Sequence, residues 1–199
     1  MQVITAGSSR PTGQPYRRSV VFVRVVAGKL GGRRLVAPPG AGTRPTSDRV
    51  REAVFNALHS LAALEGASVV DLFAGSGAMG VEALSRGAAH CVFVDSSPDA
   101  IAAINANLLA TGLGEHADVT RGDALALAGQ LGHVDLVLAD PPYEFATWPQ
   151  LFGVLDASVV VAESDRSIVP GRGWRTVREK RYGGTVVSIV VSDGHQATE

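Results

Sequence analysis

Between residues 67 and 140 the sequence alternates between short apolar runs and longer stretches with helical spacing. This alternation is typical of repeated strand–helix–strand units. In such units right-handed crossovers place parallel strands side by side, with helices on both faces of the sheet. We therefore expect an α/β fold with a mostly parallel sheet. A further helix and strand follow in residues 147–165, and two strand-like runs turn at Gly183 and Gly184. These last runs predict an antiparallel C-terminal hairpin, which brings the sheet to seven strands.

The first sixty residues follow a different pattern. Residues 1–18 are rich in Gly, Ser, Pro and Arg and have no hydrophobic period, so we expect a flexible basic tail. The run VVFVRVVAGKLGGRRLVAP predicts a small β-hairpin, and DRVREAVFNALHSL predicts a helix capped by Ser47. We accordingly expect an N-terminal hairpin and helix over residues 19–62 and a main domain over residues 63–199.

Composition and residue usage narrow the class of protein. The chain has 199 residues, of which 46% are hydrophobic, and it contains neither a run of about 20 apolar residues nor a signal-peptide pattern. We expect a cytoplasmic protein without a membrane anchor, and a monomer. Its one cysteine, Cys91, lies in the apolar run CVFV and is expected to be a small buried residue. The five histidines show no metal-ligand spacing, so no metal is expected.

Charge is distributed unevenly along the chain. Residues 1–60 carry a net charge of +8, residues 61–165 carry −12, and residues 166–199 carry +3. A polyanionic partner would therefore dock against the first sixty residues, where Lys and Arg neutralise phosphates. The alternative is a basic tail and hairpin that are simply solvated.

A glycine-rich segment follows the first strand of the main domain. Residues 75–80 read GSGAMG, a G-x-G-x-x-G pattern that opens a helix, and Asp95 ends the next strand twenty residues further on. This pattern is also the fingerprint of dinucleotide-binding proteins. Taken alone it leaves two cofactor classes open, a dinucleotide and S-adenosylmethionine.

Charge separates these two classes. Asp71 and Asp140 each end a strand and are expected to border the same crevice. They would repel a pyrophosphate by about 4 kcal/mol per charge pair at 4 Å, whereas they attract a sulfonium and an ammonium group. The pattern therefore favours S-adenosylmethionine. Asp95 would accept hydrogen bonds from ribose hydroxyls of either cofactor, and Asp123 would bind an adenine amino group or cap a helix.

The segment LADPPYEF ends another apolar strand with a carboxylate and two prolines. The prolines make Asp140 to Tyr143 a stiff turn at the carboxyl end of the strand. Asp140 and the carbonyl of Pro141 are suited to accept both N–H groups of a nucleobase amino group and to direct its lone pair at a methyl group. Tyr143 or Phe145 would stack on the base. The alternative is a strand-ending turn with a packed tyrosine.

These motifs carry a family resemblance. DLFAGSGAMGVEALSRGA, VFVDSSPDAI and LADPPY together resemble the class I, Rossmann-like S-adenosylmethionine-dependent methyltransferases that act on amino groups. GKLGGRRLVAPPGAGTRPTSDRVREAVFNAL closely resembles the bacterial RsmD family, which methylates guanine N2 in 16S ribosomal RNA. The DPPY motif is shared with DNA amino methyltransferases, so RPTSDRVRE is the specific part. The segment before Val20 has no counterpart in the family.

The resemblance implies roles for individual residues and a partner, 16S rRNA or the assembled small ribosomal subunit. Residues 63–199 would then form the catalytic domain, and the N-terminal hairpin and helix would dock RNA. The implied cofactor contacts are Asp71, Phe73, Ala74, Gly75, Ser76, Gly77, Asp95, Ser96, Asp123, Ala124 and Asp140. The implied base-handling residues are Asp140, Pro141, Pro142 and Tyr143. The implied RNA-binding residues are Arg24, Lys29, Arg33, Arg34, Arg44, Thr46 and Arg49.

Other functions make different demands on the sequence. A DNA amino methyltransferase would need a target-recognition insertion, for which 199 residues leave no room. A protein-glutamine methyltransferase would more naturally carry Asn at position 140. An NAD-dependent oxidoreductase would be stabilised by NAD, and a nonenzymatic RNA-binding module would tolerate loss of Asp140. The leading hypothesis is therefore a methyltransferase acting on guanine N2 of ribosomal RNA.

Overall fold

The computed structural model describes residues 22–39 and 47–194, and its centre is a seven-stranded sheet. The sheet order is β5-β4-β3-β6-β7-β9-β8. The first five of these strands are parallel, and β9 runs antiparallel to both β7 and β8. The predicted parallel sheet and its C-terminal hairpin are therefore confirmed. The strands are β3 (Ser68–Leu72), β4 (His90–Asp95), β5 (Ala117–Arg121), β6 (Val134–Ala139), β7 (Ala157–Ser164), β8 (Trp174–Tyr182) and β9 (Thr185–Ser192).

Five α-helices accompany the strands in the described residues. Ser47 accepts a hydrogen bond from the Val50 amide at the start of α1, as the sequence predicts. Ser97 caps α3 in the same way through the Ala100 amide. The helices are α1 (Asp48–Ser60), α2 (Ala78–Ser85), α3 (Pro98–Thr111), α4 (Ala124–Ala128) and α5 (Trp148–Val154).

The strand order reverses beside β3. From β3 the chain proceeds outward through β4 and β5 on one side, and it then continues through β6 and β7 on the other. Ligands of open α/β sheets bind outside the carboxyl ends of the strands at such a reversal. The glycine-rich loop that follows β3 and the DPPY segment that follows β6 both lie at these carboxyl ends.

Apolar residues pack on both faces of the sheet. One face buries Val69, Leu136 and Val159 together with Phe55 of α1 and Val81 of α2. The opposite face buries another set of strand residues with Ala124 of α4 and Trp148 and Phe152 of α5. Cys91 is fully buried in the first of these clusters, as expected, and burial raises the pKa of its thiol well above the usual range.

The predicted N-terminal hairpin consists of β1 (Phe22–Arg24) and β2 (Arg34–Val36) and packs on the sheet. Its Val23 and Leu35 belong to the same buried cluster as Phe55 of α1. The buried carboxylate of Glu82 on α2 accepts hydrogen bonds from the amides of Val26 and Ala27. Hairpin and sheet thus share one core, and a separate RNA-docking role for residues 19–62 stays a prediction. The predicted tail, residues 1–18, lies outside the described residues.

Candidate active site at the carboxyl edge of the sheet

The glycine-rich loop turns sharply between β3 and α2. Its backbone has positive φ at Phe73 (60°), Gly75 (56°) and Gly77 (74°). A Cβ at Gly77 would lie 3.2 Å from both Ile104 and Phe93, so that glycine is packed against the protein. At Gly75 the nearest atom would be the Phe73 oxygen at 3.9 Å. The loop is therefore open at Gly75, where a ligand can approach the backbone closely.

Asp95 fixes this loop to the neighbouring strand. Its Oδ2 accepts a hydrogen bond from the Gly75 amide at 2.8 Å, and its Oδ1 accepts one from the Ser97 amide at 2.8 Å. A carboxylate offers about four lone-pair sites, so both oxygens keep capacity for a further donor. Asp95 can therefore still accept hydrogen bonds from ribose hydroxyls, and this contact stays a prediction. The adjacent Ser96 is exposed.

Asp71 lies beneath the loop and has only 3% of its surface exposed. Its Oδ2 accepts a hydrogen bond from the Gly80 amide at 2.9 Å, in the first turn of α2. Burial raises the pKa of Asp71 well above its usual range, and the negative charges of Asp140 and Asp95 raise it further. Asp71 is therefore close enough to Asp95 and Asp140 for their charges to act on it, but it supports the loop from below. That Asp71 and Asp140 border one cofactor crevice stays a prediction.

The Asp123 side chain caps α4. Its Oδ1 accepts a hydrogen bond from the Ala126 amide at 2.8 Å. Helix capping was one of the two sequence interpretations of this residue. Contact with an adenine amino group stays a prediction for Asp123, and so does the cofactor contact of Ala124, which is buried.

The DPPY segment follows β6 directly. Ala139 pairs with Leu72 of β3, so Asp140 follows the strand beside Phe73, the first residue of the glycine loop. The Phe145 amide donates a hydrogen bond to the Pro142 carbonyl at 2.9 Å and closes a turn. Tyr143 is 51% exposed, and its hydroxyl lies 3.1 Å from the Thr185 hydroxyl. A tight turn therefore presents Asp140 and Tyr143 at the edge of the sheet.

Phe145 takes part in a row of aromatic contacts. Its ring packs edge-on against Phe73 at 5.2 Å and against Trp148 at 5.1 Å. The row continues through Phe152 to Trp174 on β8. Because Phe145 already packs between two rings, Tyr143 is the better placed of the two aromatics proposed to stack on a base.

A cavity of about 570 Å³ adjoins Asp140 and Tyr143. One wall is the first turns of α1, and the other comes from β7 and the β8–β9 hairpin. Arg49, Lys180 and Arg181 contribute three basic side chains to this cavity, beside the two acidic residues Asp140 and Glu163. The residues that line it are Ser47, Arg49, Val50, Ala53, Asp140, Tyr143, Glu163, Lys180, Arg181, Tyr182, Gly183 and Thr185.

Several of these lining residues were not anticipated from sequence. Glu163 ends an apolar strand just as Asp140 does, and Lys180 and Arg181 belong to the basic run WRTVREKRY. The net charge of +3 in residues 166–199 was the available signal. It pointed to a basic segment but not to its place beside Asp140.

The predicted RNA-binding residues occupy different places. Arg49 lines the cavity, whereas Lys29 and Arg33 are exposed on the N-terminal hairpin, as is Arg34. Arg24 forms an exposed ion pair with Asp48 at 2.6 Å. Arg44 and Thr46 lie outside the described residues. RNA contact by all of these residues stays a prediction.

The residues around the glycine loop fit S-adenosylmethionine. The loop is open at Gly75, Asp95 retains acceptor capacity, and the carboxylates of Asp95 and Asp140 both lie near the buried Asp71. This donor set suits a ligand that carries ribose hydroxyls and positive charge. Within residues 22–39 and 47–194, no group of three His, Cys, Asp or Glu side chains is arranged to hold a metal. In the same part of the chain no helix is long and apolar enough to cross a membrane.

The strand order, the open glycine loop and the carboxylates at the sheet edge define a class I, Rossmann-like methyltransferase fold. The protein family described as "Conserved hypothetical protein 95" matches residues 23–191. The chain belongs to this family, the RsmD family.

Individual relatives agree with this assignment. The chain is 38% identical to "Putative rRNA methyltransferase YlbH" of Bacillus subtilis over 86% of its length and 100% of the relative. It is 33% identical to "Ribosomal RNA small subunit methyltransferase D" of Escherichia coli, over 81% of the chain and 85% of the relative. The solved structure "Putative methyltransferase yhhF from Escherichia coli" superimposes with a TM-score of 0.77 at 30% identity, over 88% of this chain and 100% of that one.

Proposed function

We propose that this protein transfers a methyl group from S-adenosylmethionine to the exocyclic N2 of one guanine in 16S rRNA of the small ribosomal subunit. The observation that carries the proposal is the place of Asp140. It follows β6 beside the glycine loop on one side, and on the other it lines a cavity with Tyr143 and basic side chains. A methyl donor and a nucleic-acid base would therefore meet at Asp140.

The cofactor part of the proposal rests on the loop and its carboxylates. Gly75, Ser76 and Gly77 would lie against the methionine part of S-adenosylmethionine, and Asp95 would accept hydrogen bonds from its ribose. When bound, this cofactor supplies a methyl carbon activated by a positively charged sulfur. The charges of Asp95 and Asp140 would stabilise a cation here and disfavour a dinucleotide pyrophosphate.

The amino group of guanine is a poor nucleophile because its lone pair is delocalised into the ring. Asp140 and the Pro141 carbonyl would accept hydrogen bonds from its two N–H groups, which would localise the lone pair on nitrogen and stabilise the positive charge that develops there. The Pro141–Pro142 pair holds these acceptors in a stiff turn, and orientation of reacting groups as a whole lowers a barrier by at most about 7–11 kcal/mol. Tyr143 would stack on the base, which is worth about 1–3 kcal/mol.

The RNA part of the proposal rests on the basic lining and on the relatives. Arg49, Lys180 and Arg181 would offer phosphate contacts along the cavity, and Lys29 and Arg33 would offer them on the hairpin. Relatives at 32–33% identity are named small subunit ribosomal RNA methyltransferases. With ribosomal RNA as the proposed substrate, the proposed location of this chain is the cytoplasm.

The test uses small subunits that lack the modification, tritiated S-adenosylmethionine and nucleoside analysis of the product. We expect N2-methylguanosine at one position of 16S rRNA. Asp140→Ala should lower the rate more than tenfold. The control is Asp193→Ala, at an exposed aspartate that follows the last residue of β9, and it should keep the wild-type rate. Transfer by Asp140→Ala within tenfold of the wild type would refute the proposed role. A product on adenine N6 or cytosine N4, or transfer to DNA, would favour the alternative of another nucleic-acid amino methyltransferase.

A further inference from the structure

A second carboxylate faces the cavity beside Asp140. In the β6–β7 ladder Ala139 pairs with Ala162, so Glu163 continues β7 alongside Asp140. Glu163 is 3% exposed and lines the same cavity as Tyr143. Two acidic side chains from adjacent parallel strands thus approach one space that can hold a base.

A charged group at 3% exposure needs a compensating interaction, because burial of a carboxylate is costly. Arg51 provides part of the nearby positive charge. However, Arg51 donates hydrogen bonds to Asp48 and to the Arg24 carbonyl, and it lies 3.9 Å from Glu82. Glu163 therefore lies close to a cation and at the same time lines the cavity, where a bound base can reach it.

The chemistry of guanine matches two neighbouring acceptors. Guanine carries an N1–H donor next to its N2 amino group, whereas the N1 of adenine is an acceptor. An ionised carboxylate only accepts hydrogen bonds. Adjacent strands are about 4.8 Å apart, so acceptors that follow neighbouring strands can serve adjacent N–H groups on one edge of a base.

We propose that Glu163 is the residue that selects guanine, by accepting a hydrogen bond from N1–H while Asp140 holds the N2 amino group. This inference rests on the proposed function, since it assigns a recognition role within the same cavity. A base without a proton on N1 would place its lone pair against the Glu163 carboxylate and be rejected. Tyr143 would provide stacking to any base and therefore no selection.

The experiment compares guanine with 2-aminopurine at the target position. Both bases carry an amino group at C2, but only guanine carries a proton on N1. A synthetic RNA segment with either base is ligated into 16S rRNA and assembled into small subunits. The measurement is the ratio of kcat/KM for guanine to kcat/KM for 2-aminopurine in wild type, Glu163→Gln and the exposed control Glu115→Gln.

We expect the wild type and Glu115→Gln to share one ratio and Glu163→Gln to lower that ratio by about 10- to 100-fold, the contribution of one hydrogen bond to a charged group. Glutamine can donate to the bare N1 of 2-aminopurine as well as accept from guanine, so its discrimination is lost. Comparing ratios between variants cancels the intrinsic reactivity of the two bases.

A Glu163→Gln variant that loses the same factor on both bases would overturn the inference, because that result describes a structural role only. Should Glu163→Gln fail to fold, the test uses the wild type and small subunits that carry 1-methylguanine at the target position. This base keeps the N2 amino group but has no proton on N1. We expect transfer to 1-methylguanine to be at least about tenfold slower than to guanine, and equal rates would overturn the inference. Absence of transfer to guanine by the wild type would instead count against the proposed function itself.

Discussion

The side-chain amide of Asn107 donates a hydrogen bond to the backbone oxygen of Ser76 at 2.8 Å. The same buried side chain also donates to the Val36 carbonyl at 2.9 Å and accepts from the Val36 amide at 2.8 Å. One residue of α3 therefore holds both the glycine loop and strand β2 of the N-terminal hairpin. The cofactor site and the hairpin are coupled through it.

Replacing Asn107 should affect stability and cofactor binding together. Asn107→Ala removes three partly buried hydrogen bonds, two with Val36 and one with Ser76, so we expect the free energy of unfolding to fall by about 1–3 kcal/mol. The loop also loses a support, and S-adenosylmethionine should bind more weakly. Urea unfolding and calorimetric titration measure the two effects. Asn105→Ala, on the exposed side of the same helix, is the control and should change neither.

Two helical glycines should respond oppositely to alanine. A Cβ at Gly80 would overlap the Phe93 ring and lie 2.7 Å from the Cys91 sulfur, whereas Gly153 has open space around it. We expect Gly80→Ala to lower the free energy of unfolding by about 1–3 kcal/mol through overpacking. Gly153→Ala should raise it by up to about 1 kcal/mol through helix propensity. Chemical denaturation of both variants checks this, and a neutral Gly80→Ala would contradict the tight packing of α2.

Asp71 should make the stability of the ligand-free protein depend on pH. Its pKa is raised in the folded state by burial, with Asp140 and Asp95 adding to the effect. An unfolded aspartate has a pKa of about 3.9. Above that value the folded state binds more protons at Asp71 than the unfolded state, so its contribution to stability falls as pH rises.

Asp71→Asn removes this dependence. We expect the free energy of unfolding of the variant, relative to that of the wild type, to rise as the pH increases above about 4. Thermal or urea unfolding across this range measures the difference. Asp193→Asn, at an exposed aspartate, should show a smaller change with pH. An Asp71→Asn curve parallel to that of the wild type would show that Asp71 is not the group responsible.

The basic side chains at the cavity should dominate RNA binding. Lys180 lies over the Tyr182 ring at 5.2 Å, and with Arg181 it lines the cavity beside Asp140. Replacing both by alanine should weaken binding to 16S rRNA and reduce the log–log salt slope by about 0.7–0.9 for each phosphate that is no longer neutralised. Affinity for S-adenosylmethionine should not change.

Two further variants complete this comparison. The control is Arg172→Ala. Arg172 is exposed and precedes the first residue of β8, whereas Lys180 and Arg181 lie near its last residue, so this variant should bind RNA like the wild type. Charge reversal at Arg33 and Arg34 should also weaken RNA binding without changing cofactor affinity, if the N-terminal hairpin docks RNA independently. Filter binding across a salt series measures all of these. Equal affinity of the Lys180 and Arg181 double variant and the wild type would show that this surface does not bind RNA.

The fold was largely predictable because its signals are local. The alternation of apolar runs and helical segments, the Ser47 cap and the Gly183–Gly184 turn each act within a few residues, and all appear in the structure. The glycine loop and the DPPY turn were located for the same reason. Proline restricts the backbone conformations available at its own position and glycine widens them, whatever the surrounding structure.

The remaining features depend on which strands become neighbours. Glu163 lies beside Asp140 only because β7 pairs with β6, and Lys180 and Arg181 reach the cavity only because β9 inserts between β7 and β8. Phe145 packs against Phe73 of the glycine loop, a contact between segments that are distant in the sequence. Sequence periodicity reports a buried face, but it does not report the partner on that face.

A crystal structure with S-adenosylmethionine bound is the most direct measurement of whether donor and base meet at Asp140. We expect the cofactor against Gly75–Gly77, its ribose hydroxyls at Asp95, and its methyl carbon directed into the cavity that Asp140 and Tyr143 line. A cofactor bound elsewhere, or a methyl carbon directed away from Asp140, would contradict the proposed mechanism.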